Sequence, residues 1–150
     1  MRALDRITGP YAAYATFSGR ATRTEYWSFA AFAALSFFAL LFIVPMLGLI
    51  FLLATFVPGT ALAVRRLHDS DRSGYWMLLP GLAFPAWLFV FIASAASALA
   101  VRDDPLDDDI YFLIATVVML AASLPVLAFL AAPPSPGDNA FGPEPNGGEQ

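Results

Sequence analysis

The stretch "RRLHDSDRSGYW", residues 65–76, concentrates reactive side chains. Arg65, Arg66 and Arg72 carry planar forks that suit phosphate and carboxylate oxygens. His68 is the single histidine of the chain, and histidine is the side chain that exchanges protons most readily near neutrality. Asp69 and Asp71 add carboxylates, and Ser73 adds a hydroxyl. A second polar segment, "SGRATRTEYW" at residues 18–27, contributes Arg20, Arg23 and Glu25. These groups offer three kinds of chemistry: proton transfer, anion binding, or a network of ion pairs.

Proton-transfer catalysis has little support. Asp69 adjoins His68, and adjacent residues on a helix do not face each other. No serine–histidine–acid set stands out by spacing. The chain has no cysteine, so it offers no thiol nucleophile and no disulfide, and a lone histidine makes a poor metal site. No catalytic residue, metal or cofactor is therefore assigned. His68 is expected to be a hydrogen-bonding member of an arginine network. A second acidic group, Asp103, Asp104, Asp107, Asp108 and Asp109, invites a calcium reading. Its spacing departs from the D-x-D-x-D-G loop and Pro105 interrupts it, which favours a solvated acidic loop.

The elements that position these residues are apolar. Of 150 residues, 59% are hydrophobic and only 13% charged, about half the charge of a soluble domain. Mean hydropathy is +0.66. All eight basic residues are arginine. The formal charge of −4 says little because the charges are segregated along the chain. "MRALDRITGPYAAY" lacks the apolar core and cleavage pattern of a signal peptide, so it is expected to stay in the mature protein.

Trp27 to Val64 is a run of 38 residues without a charge. As one helix it would measure about 57 Å, nearly twice a bilayer's hydrocarbon core. It must fold back, and "IVPMLGLI", with Pro45 and Gly48, is the cheapest place for a turn. The expected architecture is an all-α membrane protein with four spans in two hairpins, at about 27–44, 47–64, 75–101 and 110–132. Residues 1–26 form an N-terminal segment, in which Tyr11, Tyr14 and Phe17 fit either a short interfacial helix or an extended lead-in. Residues 133–150 form a Pro/Gly-rich tail expected to be disordered or extended.

Seven of the eight arginines fall before the first span or between the second and third, and only Arg102 lies on the other side. The positive-inside rule then places both termini and the central loop in the cytoplasm of a bacterial inner membrane. Thr22 caps the first helix, with Glu25 three residues on completing a capping box. Arg23-x-x-Tyr26-Trp27 matches Arg72-x-x-Tyr75-Trp76, consistent with an internal repeat or with the common taste of span ends for such residues. Ala30, Ala34, Ser94, Ala98, Ala121 and Ser123 suit close helix packing. Trp87 needs a partner for its N–H, expected to be a carbonyl freed near Pro85. Asp71 or Ser73 is the expected cap of the third helix.

If the turn centres on Pro45, Glu25 and Arg65 meet at one surface. Glu25 is then expected to pair with Arg65 or Arg66, and Asp69 with Arg20, Arg23 or Arg72. Exposed pairs of this kind contribute about 0–1 kcal/mol each. Tyr26, Trp27, Ser73, Gly74 and Trp76 complete the structural network.

The segments 17–27 "FSGRATRTEYW", 65–76 and the tail 137–145 "GDNAFGPEP" resemble, in this order, the three signatures of the domain-of-unknown-function 805 family. Ala140 departs from that pattern, where an arginine is common. The resemblance implies a small bacterial inner-membrane protein with four spans and transfers no activity. It also implies that Phe17, Gly19, Arg20, Arg23, Trp27, Arg65 to Asp69, Ser73, Gly74 and Trp76 form one unit, on which Asn139 and Phe141-Gly142 dock.

Three functions fit the sequence. The leading one is a non-enzymatic module that binds anionic lipid headgroups, or an acidic partner segment, through Arg20, Arg23, Arg65, Arg66, His68 and Arg72. The second is a small transporter or channel for an apolar or weakly polar solute. The third is a lipid-phosphate enzyme using His68. The expected partners are membrane lipids, a membrane protein or a second copy of the chain, and nothing points to nucleic acid.

Overall fold

The computed structural model describes the backbone of residues 3–99 and 106–145 and the side chains of residues 4–96 and 110–145. Its long elements are all helical: α1 (Ala3–Ala12), α2 (Arg23–Ile43), α3 (Pro45–Asp69), α4 (Leu78–Leu99) and α5 (Leu106–Ala131), with a 3-10 turn at Gly74–Met77. Among the described residues there is no strand, only an isolated bridge between Asn139 and Gly142. Among the described residues four helices are long and apolar enough to cross a membrane. By contacts the chain divides into two compact units, Met1–Gly74 with Phe129–Gln150, and Tyr75–Ala128.

In the first unit the long apolar run folds back as its length demands. Val44 alone breaks it, ending α2 and opening α3 in an extended conformation. Pro45 takes the first position of α3, where its missing N–H is no loss. The two helices run antiparallel, with Phe32 against Phe51 and the Ala21 N–H bonded to the Arg65 carbonyl at 3.1 Å. Near the turn their backbones almost touch. A Cβ at Gly48 would stand 2.9 Å from both the Cα and the N of Leu41. Gly59 faces the Phe29 ring at ordinary contact distance, 3.7 Å from an added Cβ. The close-packing residues here are thus Gly48, Gly59 and Ala61. Ala34 and Ala121 face outward, and Ser123 bonds its own helix at Met119. Ala30 and Ser94 are half-buried, and the side chain of Ala98 lies outside the described residues.

Thr22 caps α2, its hydroxyl accepting from the Glu25 N–H at 3.2 Å. Arg23 and Glu25 consequently belong to the helix. At the other end, α3 runs to Asp69 and carries Arg65, Arg66 and His68 within it. The central loop is therefore shorter than the apolar boundaries suggested. It closes α3 in a Schellman-type turn. The Asp71 N–H bonds His68 O, the Arg72 N–H bonds Leu67 O, and Asp71 adopts φ 55°. Asp71 thus ends α3, where the sequence offered it as a cap for the next helix. The two Arg-x-x-Tyr-Trp segments also differ in conformation. Arg23 opens an α-helix, whereas Arg72 lies in coil before the 3-10 turn.

The N-terminal segment is helical through Ala12 and turns thereafter, so Tyr14 and Phe17 lie beyond α1. Tyr11 packs edge-on against Phe29 and shares a hydrogen bond of 3.2 Å with Thr55. Thr55 lies ten positions before Arg65 on α3, about 15 Å along the axis. The end of α1 therefore rests on the wall of the α2–α3 hairpin.

In the second unit α4 and α5 are also antiparallel, because Trp87 meets Thr116 and Phe91 meets Phe112. The Trp87 indole N–H donates to the Thr116 hydroxyl at 3.0 Å, and that hydroxyl donates to Phe112 O. Its partner is a side chain of the neighbouring helix, not a carbonyl freed by Pro85.

Gly48→Ala should lower the unfolding free energy by about 1–3 kcal/mol, the cost of overpacking a tight contact. Gly9→Ala, where an added Cβ meets nothing within 4 Å, should leave it unchanged or raise it. Thermal unfolding of the purified protein in detergent reads both, and an unaltered melting point for Gly48→Ala would show that the helices cross less closely.

Candidate functional site

The polar end of the α2–α3 hairpin gathers segments distant in the chain. The N-terminal segment passes beside α3 at Ala21, which is wholly buried. The last turn of α5 and the tail arrive from the other side. Their meeting point is the Asp69 carboxylate, only 2% exposed.

Two arginines enclose it. The Arg20 Nε and Nη2 lie 3.0 Å from Oδ1, and Arg66 Nη1 donates to Oδ2. The side chains of Arg20 and Arg66 are 1% and 0% exposed. Two cations against one anion leave a positive excess in a buried place, which costs free energy unless polar atoms offset it. Backbone carbonyls do so. Arg66 donates to Leu130 O at 3.0 Å and to Ala132 O. Arg20 donates to Ser135 O at 2.8 Å and Gly137 O at 2.6 Å. A helix leaves its last carbonyls without intrahelical donors, so Arg66 also caps α5.

The tail completes the cluster. The Ser135 N–H and hydroxyl both donate to Asp69 O, at 2.8 and 3.2 Å. The Asn139 side-chain amide donates to His68 O and to the Ser135 hydroxyl, each at 2.9 Å. Phe141 stacks on the His68 ring with centroids 4.0 Å apart and planes 5° from parallel. Glycines at Gly137 (φ 67°) and Gly142 (φ 138°) permit the bends. Composition alone led to a disordered or extended tail. Over residues 133–145 it is irregular backbone but anchored, following the docking that the family resemblance implied. Residues 146–150 lie outside the described residues.

The arginines divide into two groups. Arg20 and Arg66 are consumed by the fold and are no longer candidates for an external ligand. Arg72 is exposed and lies over the Phe129 ring at 4.6 Å. Arg23 is exposed, and its charge is felt at Arg66. Arg65 is half-buried, and its Nε is buried without a hydrogen-bond partner. Among the described residues Glu25 enters no ion pair, so its expected bond to Arg65 or Arg66 is absent. Arg66 is instead turned toward Asp69 and the end of α5.

His68 Nδ1 lies 3.1 Å from Gly19 O. A carbonyl only accepts, so Nδ1 carries the proton. With one nitrogen held and one ring face covered by Phe141, His68 joins the N-terminal segment to the tail. Gly74 fits beside it because a Cβ there would stand 2.6 Å from Val64 Cγ1. Tyr26 packs on the core of Ala21, Phe29 and Leu62, and contacts Trp27 edge-on. Trp27 is 43% exposed, Ser73 is exposed, and Trp76 is half-buried in the 3-10 turn. Asp103 and Asp104 lie outside the described residues, as do the side chains of Asp107 to Asp109. Among the described residues no three His, Asp or Glu side chains converge as a metal site would require.

Residues 14–143 match the family described as "Protein of unknown function (DUF805)", and the chain belongs to that family. It is 45% identical over 86 residues to inner membrane protein YhaI of Escherichia coli K12, covering 53% of this chain and 73% of the relative. It is 37% identical over 90 residues to inner membrane protein YhaH of the same strain, covering 53% and 74%. No solved structure matches. With its four apolar helices the chain is an inner-membrane protein of this family.

Asp69→Asn removes the one carboxylate between two buried arginines, a class of change that costs about 3–5 kcal/mol. It should sharply lower the melting point in detergent. Glu25→Gln, with no ion pair to lose, should change stability by no more than about 0.5 kcal/mol. Equal effects of the two would overturn this division of roles.

Proposed function

We propose that the protein is a non-enzymatic module of the inner membrane whose charged end attracts anionic lipid headgroups. Both termini and this end face the cytoplasm, the side that the arginine distribution favours. The observation that carries the proposal is the split among the arginines. Asp69 and the carbonyls of Leu130, Ala132, Ser135 and Gly137 occupy Arg20 and Arg66, and among the described residues Arg23, Arg65 and Arg72 form no ion pair with a carboxylate. The three belong to one end of the α2–α3 hairpin. Cations so placed strengthen contact with an anionic leaflet by about 1 kcal/mol each. The shape of the end is fixed from within by the buried ion pairs, so the backbone that carries these three arginines is positioned without a ligand.

The assignment differs from the set that the sequence suggested. Arg20, Arg66 and His68 hold the platform, and Arg23, Arg65 and Arg72 face the lipid. The test uses Arg23→Gln/Arg72→Gln, which leaves the buried pairs intact. Lipids retained after mild detergent extraction should contain a smaller share of phosphatidylglycerol than those of the wild type. Equal shares would overturn the proposal, and a wild-type-specific acidic protein in the same extract would point to a protein partner instead.

A further inference from the structure

The geometry points to a discrete seat for one phosphate group at Arg65, with Arg23 as the second cation. This inference rests on the lipid-binding proposal and sharpens it from a diffuse field to a single site.

Arg65 is the exception in an otherwise satisfied cluster. Arg20 places four donor contacts on oxygens and Arg66 three. The Nε of Arg65, by contrast, is buried with no acceptor. A buried donor left unpaired destabilises the unliganded chain, the more so when it is charged. An acceptor from outside the chain removes that cost. The Asp69 carboxylate is already held between Arg20 and Arg66, and Arg23 adds positive charge nearby, so an anionic acceptor is favoured.

Arg23 belongs to the same neighbourhood. The Ala21 N–H bonds Arg65 O at 3.1 Å, so the chain reaches Arg23 two residues after touching Arg65. Arg23 is the first residue of α2, exposed and without an ion pair among the described residues. The Thr22 hydroxyl takes the Glu25 N–H and the Thr22 carbonyl takes the Tyr26 N–H. The earlier amides of that turn add positive potential next to Arg23. A tetrahedral oxyanion offers several acceptors at once, which suits guanidinium groups carried on the neighbouring ends of two helices.

The chemistry is that of a phosphate oxyanion, supplied either by a lipid headgroup or by a free phosphate. A diffuse field counts charge alone, whereas a seat needs the guanidinium fork and its Nε. Arg65→Lys separates the two because it keeps the charge and loses the Nε donor. The experiment titrates the full chain in neutral detergent with phosphatidylglycerol, with phosphatidylcholine and with inorganic phosphate, and counts bound molecules by native mass spectrometry. The wild type should hold one phosphatidylglycerol in preference to phosphatidylcholine. Arg65→Lys and Arg65→Gln should both weaken it by about tenfold or more, with Arg23→Gln weakening it as well. None of these substitutions should lower the melting point, and the two at Arg65, which remove the unpaired buried donor, should hold or raise it.

Arg65→Lys binding like the wild type would overturn the seat while leaving the lipid proposal standing. Inorganic phosphate binding lost in Arg65→Lys, without any preference for phosphatidylglycerol, would keep the seat and overturn the lipid proposal. Binding of neither probe by the wild type would overturn both.

Discussion

One carboxylate, Asp69, sets the arrangement of the polar end. Buried charge is tolerated only when paired and hydrogen-bonded, and Asp69 meets this by drawing Arg20 and Arg66 to its two oxygens. Each arginine then has donors to spare. Those of Arg66 go to the end of α5, and those of Arg20 go to the tail. The carbonyls so used are ones that a helix end and an irregular segment could not satisfy alone. The ion pairs therefore do more than neutralise charge. They tie residues 19–21, the end of α3, the end of α5 and residues 135–141 into one body.

The distribution of side chains is inverted relative to a protein in water. Phe42 is 87% exposed, whereas Arg66 is 0% exposed. Lipid chains solvate the outer faces of α2 and α3 at no cost, so apolar contact supplies little reason for one helix pairing over another. Specificity falls to close backbone approach and to polar bonds. Gly48 against Leu41 represents the first, and Tyr11 to Thr55 and Trp87 to Thr116 represent the second. The charged end represents the same rule at its strongest.

Much of the fold was legible because it follows from length. An uncharged run too long for one crossing has to double back, and Pro45 with Thr22 marked where helices begin. The apolar span closed near Val64, whereas α3 continues through Arg65 to Asp69. Charge was used as a sign of exposure, and here it is buried. The site was legible in membership but not in roles. Arg65 and Arg66 stand four and three residues before Asp69, both on its side of the helix, so spacing alone did not decide which of them pairs with it. The acceptors on Leu130, Ala132, Ser135 and Gly137 are backbone atoms, which leave no side-chain signature. The tail's anchoring was likewise invisible in its Pro/Gly composition, and came only from the family pattern around Asn139 and Phe141.

The chain lacks cysteine, so spin labels can be placed at will. Labels at the exposed positions Ser18 and Ala140 report directly on whether Asp69 holds the N-terminal segment and the tail together. Pulsed electron paramagnetic resonance in lipid nanodiscs should give one short, narrow distance in the otherwise unaltered chain and a longer, broad distribution with Asp69→Asn. A distribution that is already broad with Asp69 present, or one that Asp69→Asn leaves narrow, would contradict the account.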